Sequence, residues 1–166
     1  MSELKPHVVL LNETKLCESR RLGFQTAALR DRTVDKTHVG GVCILVSNTV
    51  TYSDISLDMD DVVATEVRAG ASVFAIVSYY CPPDGRDLNS AMLERYVLKY
   101  ERVIVAGDLN AKHQFYGSKC TNARGDELFD FVERNNLIVL NDPEEMTHQA
   151  ACTGQWDLID YFVVSR

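Results

Sequence analysis

The chain has 166 residues, of which 46% are hydrophobic and 25% are charged, which excludes a disordered chain and is enough for one domain with its own core. Its formal net charge of −7 argues against a simple electrostatic nucleic-acid binder, although it does not exclude an enzyme that reaches phosphate through a cation. Five scattered cysteines without a Cys-x-x-Cys spacing argue against a disulfide framework or a zinc site. Because the apolar runs are strand-length and no signal region opens the chain, we expect an intracellular protein without a membrane span.

The first half of the chain consists mainly of short apolar runs that predict β-strands. His7 to Leu11 predicts a buried strand that closes on Asn12-Glu13-Thr14, so an acidic side chain stands at its carboxyl end. Gly40-Gly41 predicts a close approach of two backbones. The acidic cluster from Asp54 to Asp61 predicts a solvated loop. Further strands are predicted at Phe24 to Leu29, Val42 to Ser47, Val62 to Val67 and Ser72 to Tyr80.

The second half alternates helical and strand patterns. From Leu88 to Tyr100 every fourth residue is apolar, which predicts an amphipathic helix that Asp87 or Asn89 caps. A buried strand starts at Val103, and a long loop from Gly107 to Gly125 follows it. The remaining predicted elements are a helix from Asp126 to Asn135 and strands from Leu137 to Leu140 and from Trp156 to Val164. Together these elements predict an α/β domain in which two sheets pack together with helices outside.

Polar oxygen-bearing residues stand at or within these apolar strands. Asp108 and Asn110 follow the strand that begins at Val103, and their spacing of two puts both side chains on one side of extended backbone. With Glu13 and Asp160 they form an oxygen-rich set that suits Mg²⁺ or Mn²⁺, and such a site suits phosphoester hydrolysis. The alternative is an ordinary Gly-Asp-x-Asn turn, with Glu13 and Asp160 bonded to local backbone.

A set of short motifs resembles the endonuclease/exonuclease/phosphatase superfamily, whose members include DNase I and the apurinic endonucleases. The form of the segment that begins at Asp108 is most similar to the apurinic-type endonuclease domain of non-LTR retrotransposons. The resemblance covers nearly the whole chain and implies a DNase I-like four-layer α/β/β/α sandwich of two packed mixed sheets, one domain over residues 1–166. The motifs, in their order along the chain, are Asn12-Glu13-Thr14, Gly40-Gly41-Val42, Tyr80-Cys-Pro-Pro, Gly107-Asp-Leu-Asn-Ala, Tyr116-Gly-Ser, Asn122-Ala-Arg-Gly, Asn136-Leu and Ile159-Asp-Tyr-Phe.

The resemblance also implies roles for individual residues. Glu13 resembles the metal-ligating glutamate, and Asp108 the aspartate that positions or deprotonates the attacking water. Asn110 resembles the asparagine that holds the scissile phosphate, and Tyr80 the tyrosine that donates a hydrogen bond to it. Asp160 resembles the aspartate that orients a catalytic histidine.

Three further residues, His113, Asn122 and Arg124, are predicted to contact the substrate from the loop after Asp108. The alternative is that Asn122 and Arg124 shape this loop and cap the following helix, and that His113 is an exposed loop residue.

The resemblance implies a metal-dependent endonuclease that nicks double-stranded target DNA so that the new 3′ end primes reverse transcription. Its expected partner is a reverse transcriptase in the same polyprotein, and its expected location is the nucleus. The family's Asn-bearing first strand and terminal Ser-Asp-His segment have no counterpart in residues 1–166, and none of the four histidines matches the catalytic one. We therefore expect a domain that is partial at both ends. The alternatives are an inactive remnant and a phosphoesterase of the same fold that acts on a phospholipid or inositol phosphate.

Overall fold

The computed structural model describes residues 6–15, 25–30, 33–34, 37–38, 40–59, 61–85, 87–150, 152 and 154–166. The chain divides into two units, Met1–Tyr80 and Cys81–Arg166. All elements described in the first unit are strands. They are β1 (Val8–Asn12), β2 (Gln25–Arg30), β3 (Thr33–Val34), β4 (Thr37–His38), β5 (Val42–Val46), β6 (Thr51–Ile55), β7 (Val62–Ala69) and β8 (Ser72–Tyr79).

Strand β5 is the centre of the first unit. It pairs antiparallel with β1 on one side and with β2 on the other, and all five of its residues are buried. Its continuous apolar run fits a strand that is covered on both faces, because alternation with polar residues is needed only where one face meets water. Strands β6, β7 and β8 form an antiparallel meander. Strands β5 and β2 contact β7, so the two sheets of this unit pack together as predicted.

The first-unit strands are confirmed for β1, β5, β7 and β8, and for β2 with a shift of one residue; Phe24 lies outside the described residues. Strand β1 is half-buried rather than buried as predicted. Strand β6 was missed because its sequence, Thr-Tyr-Ser-Asp-Ile, is mostly polar and three of its five residues are exposed. The acidic cluster from Asp54 to Asp61 is not the solvated loop that was predicted. Asp54 and Asp58 are exposed, but Asp54 lies in β6 and Asp61 is buried with its carbonyl accepting the Tyr80 N–H at 2.9 Å. Asp60 lies outside the described residues.

The second unit combines a small sheet with helices. Strands β10, β13 and β9 lie in that order and pair antiparallel, and helix α2 contacts both α1 and β10. The buried residues Leu128, Phe131 and Val132 form the apolar side of α2. The elements of this unit are α1 (Ser90–Val97), β9 (Val103–Asp108), a 3₁₀ turn (Gln114–Tyr116), α2 (Ala123–Arg134), β10 (Leu137–Val139), β11 (His148–Gln149), β12 (Trp156–Asp157) and β13 (Asp160–Ser165).

The start of α1 was predicted wrongly. Asn89 is the residue that precedes the helix, but its side chain makes no capping hydrogen bond. Instead the carboxylate of Glu127, on α2, accepts the N–H groups of Leu88 at 2.9 Å and Ser90 at 2.8 Å. A side chain from the neighbouring helix therefore satisfies the backbone donors that a local cap normally satisfies.

The last predicted strand is divided in two. Trp156 and Asp157 pair with Gln149 and His148, whereas the strand that contains Asp160 pairs with β9 and β10. Within the described ranges no helix has the length and apolar character needed to cross a membrane.

Candidate active site

The end of β9 holds the aspartate and asparagine that the sequence singled out. Asp108 is the last residue of the strand, and its Oδ1 accepts the N–H of Asn110 at 3.0 Å. The Asn110 side chain is held as well, since its Nδ2 donates to the carbonyl of Cys81 at 3.1 Å. Asn110 adopts a left-handed backbone with φ of 47°, a region that asparagine tolerates better than most residues. Asp108 and Asn110 are therefore linked by a hydrogen bond, but Asn110 is left-handed, so the extended backbone from which a shared side was predicted does not continue through it.

Asp160 lies directly opposite Asp108. The two are register partners in the antiparallel ladder between β13 and β9. The Leu109 N–H donates to the Ile159 carbonyl at 3.0 Å, which makes Asp108 and Asp160 a non-hydrogen-bonded pair, the kind whose Cα atoms approach to about 4.5 Å. Both residues are half-buried. Side chains of such a pair emerge on the same face of the sheet, so Asp108 and Asp160 share one face of the ladder.

Asn122 connects the loop after β9 to helix α2. Its Oδ1 accepts the N–H of Lys112 at 3.0 Å and the N–H of Gly125 at 2.8 Å, and the second of these bonds caps the helix. Its Nδ2 donates to the Asn110 carbonyl at 3.0 Å. The predicted helix start at Asp126 was therefore three residues late, and the capping role foreseen for Asn122 is confirmed.

Gly125 explains how closely the helix approaches this loop. A Cβ atom on Gly125 would overlap the carbonyl oxygen of Lys112, so no other residue fits without movement of one of the two backbones. The Asn122 N–H donates to that same carbonyl at 3.0 Å. The first turn of α2 is thus packed backbone-to-backbone against the loop.

Two cations, Lys112 and Arg124, lie at a cleft in this unit. Lys112 Nζ is 2.6 Å from Oδ2 of Asp157, whose side chain is only 1% exposed and whose other carboxylate oxygen has no hydrogen-bond partner among the described residues. Lys112 is therefore held at the cleft by an ion pair with a buried carboxylate. The cleft has a volume of about 410 Å³ and is lined by Pro83, Gly85, Asp87, Asn110, Lys112, Asn122, Ala123 and Arg124.

Arg124 lies in the first turn of α2 and is 8% exposed. It donates to the carbonyls of Pro82 at 2.7 Å and Cys81 at 3.3 Å, and its guanidinium is 3.8 Å from Asp84. The carbonyl of Cys81 thus accepts hydrogen bonds from both Arg124 and Asn110. These contacts support the alternative in which Arg124 shapes the loop, and its contact with substrate stays a prediction, as does that of Asn122.

His113 is packed against aromatic rings. Its ring stacks on Phe129 with 4.6 Å between centroids, and its Nδ1 accepts the N–H of Phe115 at 3.2 Å. Its Nε2 is 3.7 Å from Asp126, and the side chain is 16% exposed. His113 does not line the cleft around Asn110. A substrate contact by His113 also stays a prediction.

The second unit also contains two buried tyrosines, Tyr116 and Tyr161. Burial raises the pKa of the Tyr116 phenol to about 12, and it also raises the pKa of Tyr161 above its ordinary value. Both phenols therefore stay protonated at neutral pH and do not serve as bases. They contribute packing, with their rings edge to face at 5.7 Å.

In the first unit, Glu13 and Tyr80 come together although 67 residues separate them. The Tyr80 hydroxyl donates to Glu13 Oε1 at 2.5 Å. Glu13 follows β1 with a left-handed backbone, φ 48°. The chain after it is held by Gly40 and Gly41, whose carbonyls accept the N–H groups of Lys15 at 2.8 Å and Thr14 at 3.2 Å. The close approach predicted at the glycine pair is confirmed, and both glycines have positive φ.

The predicted metal-site residues carry oxygen donors. Glu13, Asp108, Asn110 and Asp160 offer carboxylate and amide oxygens, which are the donors that Mg²⁺ and Mn²⁺ prefer. Among the described residues, no group of three or more His, Cys, Asp or Glu side chains is arranged to hold a metal ion. The assignment of the metal to Glu13 thus stays a prediction.

Comparison with known structures identifies the fold. The chain is similar to the endonuclease domain of TRAS1, a telomere-specific non-LTR retrotransposon, with a TM-score of 0.68 and 22% sequence identity. The match covers 98% of this chain and 68% of that chain. The predicted α/β class, a DNase I-like sandwich, is confirmed.

Residues 74–166 match the family described as endonuclease-reverse transcriptase, and the chain belongs to this family. It is 22% identical over 164 residues to the RNA-directed DNA polymerase from mobile element jockey of Drosophila funebris, a match that covers 95% of the chain. It is 27% identical over 163 residues to the probable RNA-directed DNA polymerase from transposon X-element of Drosophila melanogaster, covering 93% of the chain. The chain spans 18% of the length of each relative. The resemblance to retrotransposon endonucleases is therefore confirmed.

Proposed function

We propose that this endonuclease-like domain hydrolyses a phosphodiester bond in double-stranded DNA with the help of Mg²⁺ or Mn²⁺. The observation that supports this most is the end of β9, where Asp108 and Asn110 are fixed side by side and Asp160 lies opposite Asp108. The relatives named RNA-directed DNA polymerases of mobile elements support a role beside a reverse transcriptase, in which the nicked target strand primes DNA synthesis. This role places the protein in the nucleus.

The proposed chemistry assigns a separate task to each residue. The Asp108 carboxylate accepts a proton from the attacking water or orients it. The Asn110 amide has two N–H donors, and since one is bonded to the Cys81 carbonyl, the other is left for a phosphate oxygen. The Tyr80 hydroxyl donates to the phosphate, and Glu13 holds the cation. That cation would polarise the phosphoryl oxygen and stabilise the leaving oxyanion. Joint action of these residues on one phosphate stays a prediction.

Asp160 has a supporting role in this proposal. It is the register partner of Asp108 in the ladder between β13 and β9, and the family resemblance implies that it orients a catalytic histidine. The histidine that the family resemblance implies for Asp160 has no match by motif in residues 1–166.

The test is the nicking of supercoiled plasmid in the presence of Mg²⁺ or Mn²⁺. Asp108→Ala should lower the nicking rate by about 10²–10⁴-fold, the usual contribution of a general acid or base. Asp130→Ala, at an exposed position of α2, is the matched control and should nick at the wild-type rate.

A wild-type rate in Asp108→Ala would contradict the proposal. Hydrolysis of a phospholipid or inositol phosphate without plasmid nicking would instead assign the domain to another substrate class, and failure on every substrate would identify an inactive remnant.

A further inference from the structure

Asn110 is held at three separate points. Its N–H donates to Asp108 Oδ1 at 3.0 Å, its Nδ2 donates to the Cys81 carbonyl at 3.1 Å, and its own carbonyl accepts from Asn122 Nδ2 at 3.0 Å. A left-handed backbone such as this one persists when its surroundings fix it. The third bond comes from Asn122, the residue that caps helix α2.

We propose that Asn122 is a positioning residue for Asn110: through its Nδ2 it fixes the peptide that aims the Asn110 side chain at the phosphate. This inference rests on the proposed role of Asn110 and goes beyond the capping of α2, because capping does not use the atom that makes the contact. Capping needs only the acceptor oxygen, which takes the N–H of Gly125. The nitrogen is left over, and it donates to Asn110.

The hydrogen bonds also fix which way the Asn122 amide points. Two backbone N–H groups, those of Lys112 and Gly125, meet the oxygen, and a backbone carbonyl meets the nitrogen. If the amide were reversed, its NH₂ group would face the two N–H donors of Lys112 and Gly125, and its oxygen would face the Asn110 carbonyl. The donation to Asn110 therefore follows from the surrounding backbone.

The segments on either side of Asn122 are held by further contacts. Gly125 packs against the Lys112 carbonyl, and Lys112 is tied through its side chain to the buried Asp157. Arg124 bonds the Cys81 carbonyl, the same acceptor that holds the Asn110 side chain. The first turn of α2 thus fixes Asn110 in two ways, directly through Asn122 and indirectly through Cys81.

The variant that separates positioning from capping is Asn122→Asp. Aspartate caps helices as well as asparagine does, but it cannot donate, and it sets a carboxylate against the Asn110 carbonyl. We expect its Tm to stay within about 3 °C of wild type and its kcat for plasmid nicking to fall about 2–10-fold, the net contribution of one hydrogen bond, with KM unchanged.

A second measurement does not depend on activity. In NMR spectra of the whole chain, the Cα and Cβ shifts of Asn110 should move in Asn122→Asp, while the Gly125 amide stays protected from exchange. The matched control is Asn135→Asp, which removes a similar donor to a carbonyl, that of Phe131, at the other end of α2. This control should leave both the Asn110 shifts and the nicking rate unchanged.

Wild-type shifts at Asn110 in Asn122→Asp would overturn the inference. Asn122→Ala removes both the cap and the donor, so its Tm and kcat should fall together. The same parallel fall in Asn122→Asp would overturn the inference, because Asn122 would then have only a structural role. If the wild-type chain does not nick plasmid, the proposed function fails, whereas the NMR comparison still decides whether Asn122 positions Asn110.

Discussion

The chain adopts a left-handed backbone conformation just after β1 and just after β9, but with different residues. Each strand is followed by a non-glycine residue in the left-handed region, Glu13 with φ 48° and Asn110 with φ 47°. Asparagine visits this region at little cost, whereas a glutamate there is strained by about 1–2 kcal/mol. Strain at a candidate site residue is a reason to look for function there.

The two residues also differ in what surrounds them. Asn110 is fixed through its backbone N–H, its side chain and its carbonyl. Glu13 is exposed, and Tyr80 is the hydrogen-bond donor that the described residues supply to its carboxylate. Asn110 is thus fixed by three hydrogen bonds, whereas Glu13 is an exposed side chain that accepts a hydrogen bond from Tyr80. Three experiments test this difference.

The largest effect is expected from Gly125→Ala, which disturbs the packing of the first turn of α2 against the loop that holds Asn110. The new methyl group would overlap the Lys112 carbonyl, so either α2 or the loop must move. We expect a loss of about 2–4 kcal/mol in the free energy of unfolding, measured by urea denaturation. Gly85→Ala is the control, because its added Cβ meets nothing within 4 Å and the cost reduces to that of its positive φ, about 1 kcal/mol. Equal losses in the two variants would show that the contact at Gly125 is loose.

A smaller effect is expected from Glu13→Ala, measured as Mn²⁺ binding by calorimetry. Removal of a ligating carboxylate should weaken binding by at least about 10-fold, since even residues that only orient a metal ligand cost 10–100-fold when mutated. Glu101→Ala, at a highly exposed position, should bind Mn²⁺ as the wild type does. If Glu13→Ala binds equally well, the cation is not held by Glu13.

The smallest effect distinguishes the two left-handed residues. In a Tyr80→Phe background, where the hydrogen bond to the Glu13 carboxylate is already absent, Glu13→Gly should stabilise the chain by up to about 1 kcal/mol, because the relieved strain exceeds the entropic cost of glycine. Asn110→Gly relieves little strain and loses the bond to the Cys81 carbonyl, so it should be neutral or destabilising by about 1 kcal/mol. The sign of the change in Tm shows whether backbone strain differs between Glu13 and Asn110. The same sign at both positions would show that the two strand ends do not differ in backbone strain.

Local patterns in the sequence predicted the parts of this site that lie within one segment. The strand that ends at Asp108 and the strand before Glu13 follow from their apolar composition. The extended backbone assumed between Asp108 and Asn110 does not, because Asn110 is left-handed. The start of α2 was misplaced because glycine is a poor helix former, and the helix was therefore begun after Gly125. Gly125 is helical for a reason outside its own segment, the approach of the Lys112 carbonyl.

Contacts between distant segments could not be predicted in this way. The capping of Leu88 by Glu127 joins residues 39 apart, and the ion pair between Lys112 and Asp157 joins residues 45 apart. Both depend on how whole elements pack. The family resemblance supplied the pairing of Glu13 with Tyr80 as common site residues, but only the structure gives the hydrogen bond between them.

The register between β9 and β13 limits which insertions and deletions β13 can accept. Side chains alternate between the two faces of a strand, so inserting or deleting one residue within β13 would turn Asp160 away from Asp108. A change of two residues would restore the face but move the carboxylate along the strand to another partner. Substitutions on the exposed positions of β13 are tolerated far more readily than any change in length. A variant of this chain with one residue inserted between Ile159 and Phe162 should therefore have lost the facing pair of Asp108 and Asp160 even where every motif can still be read in the sequence.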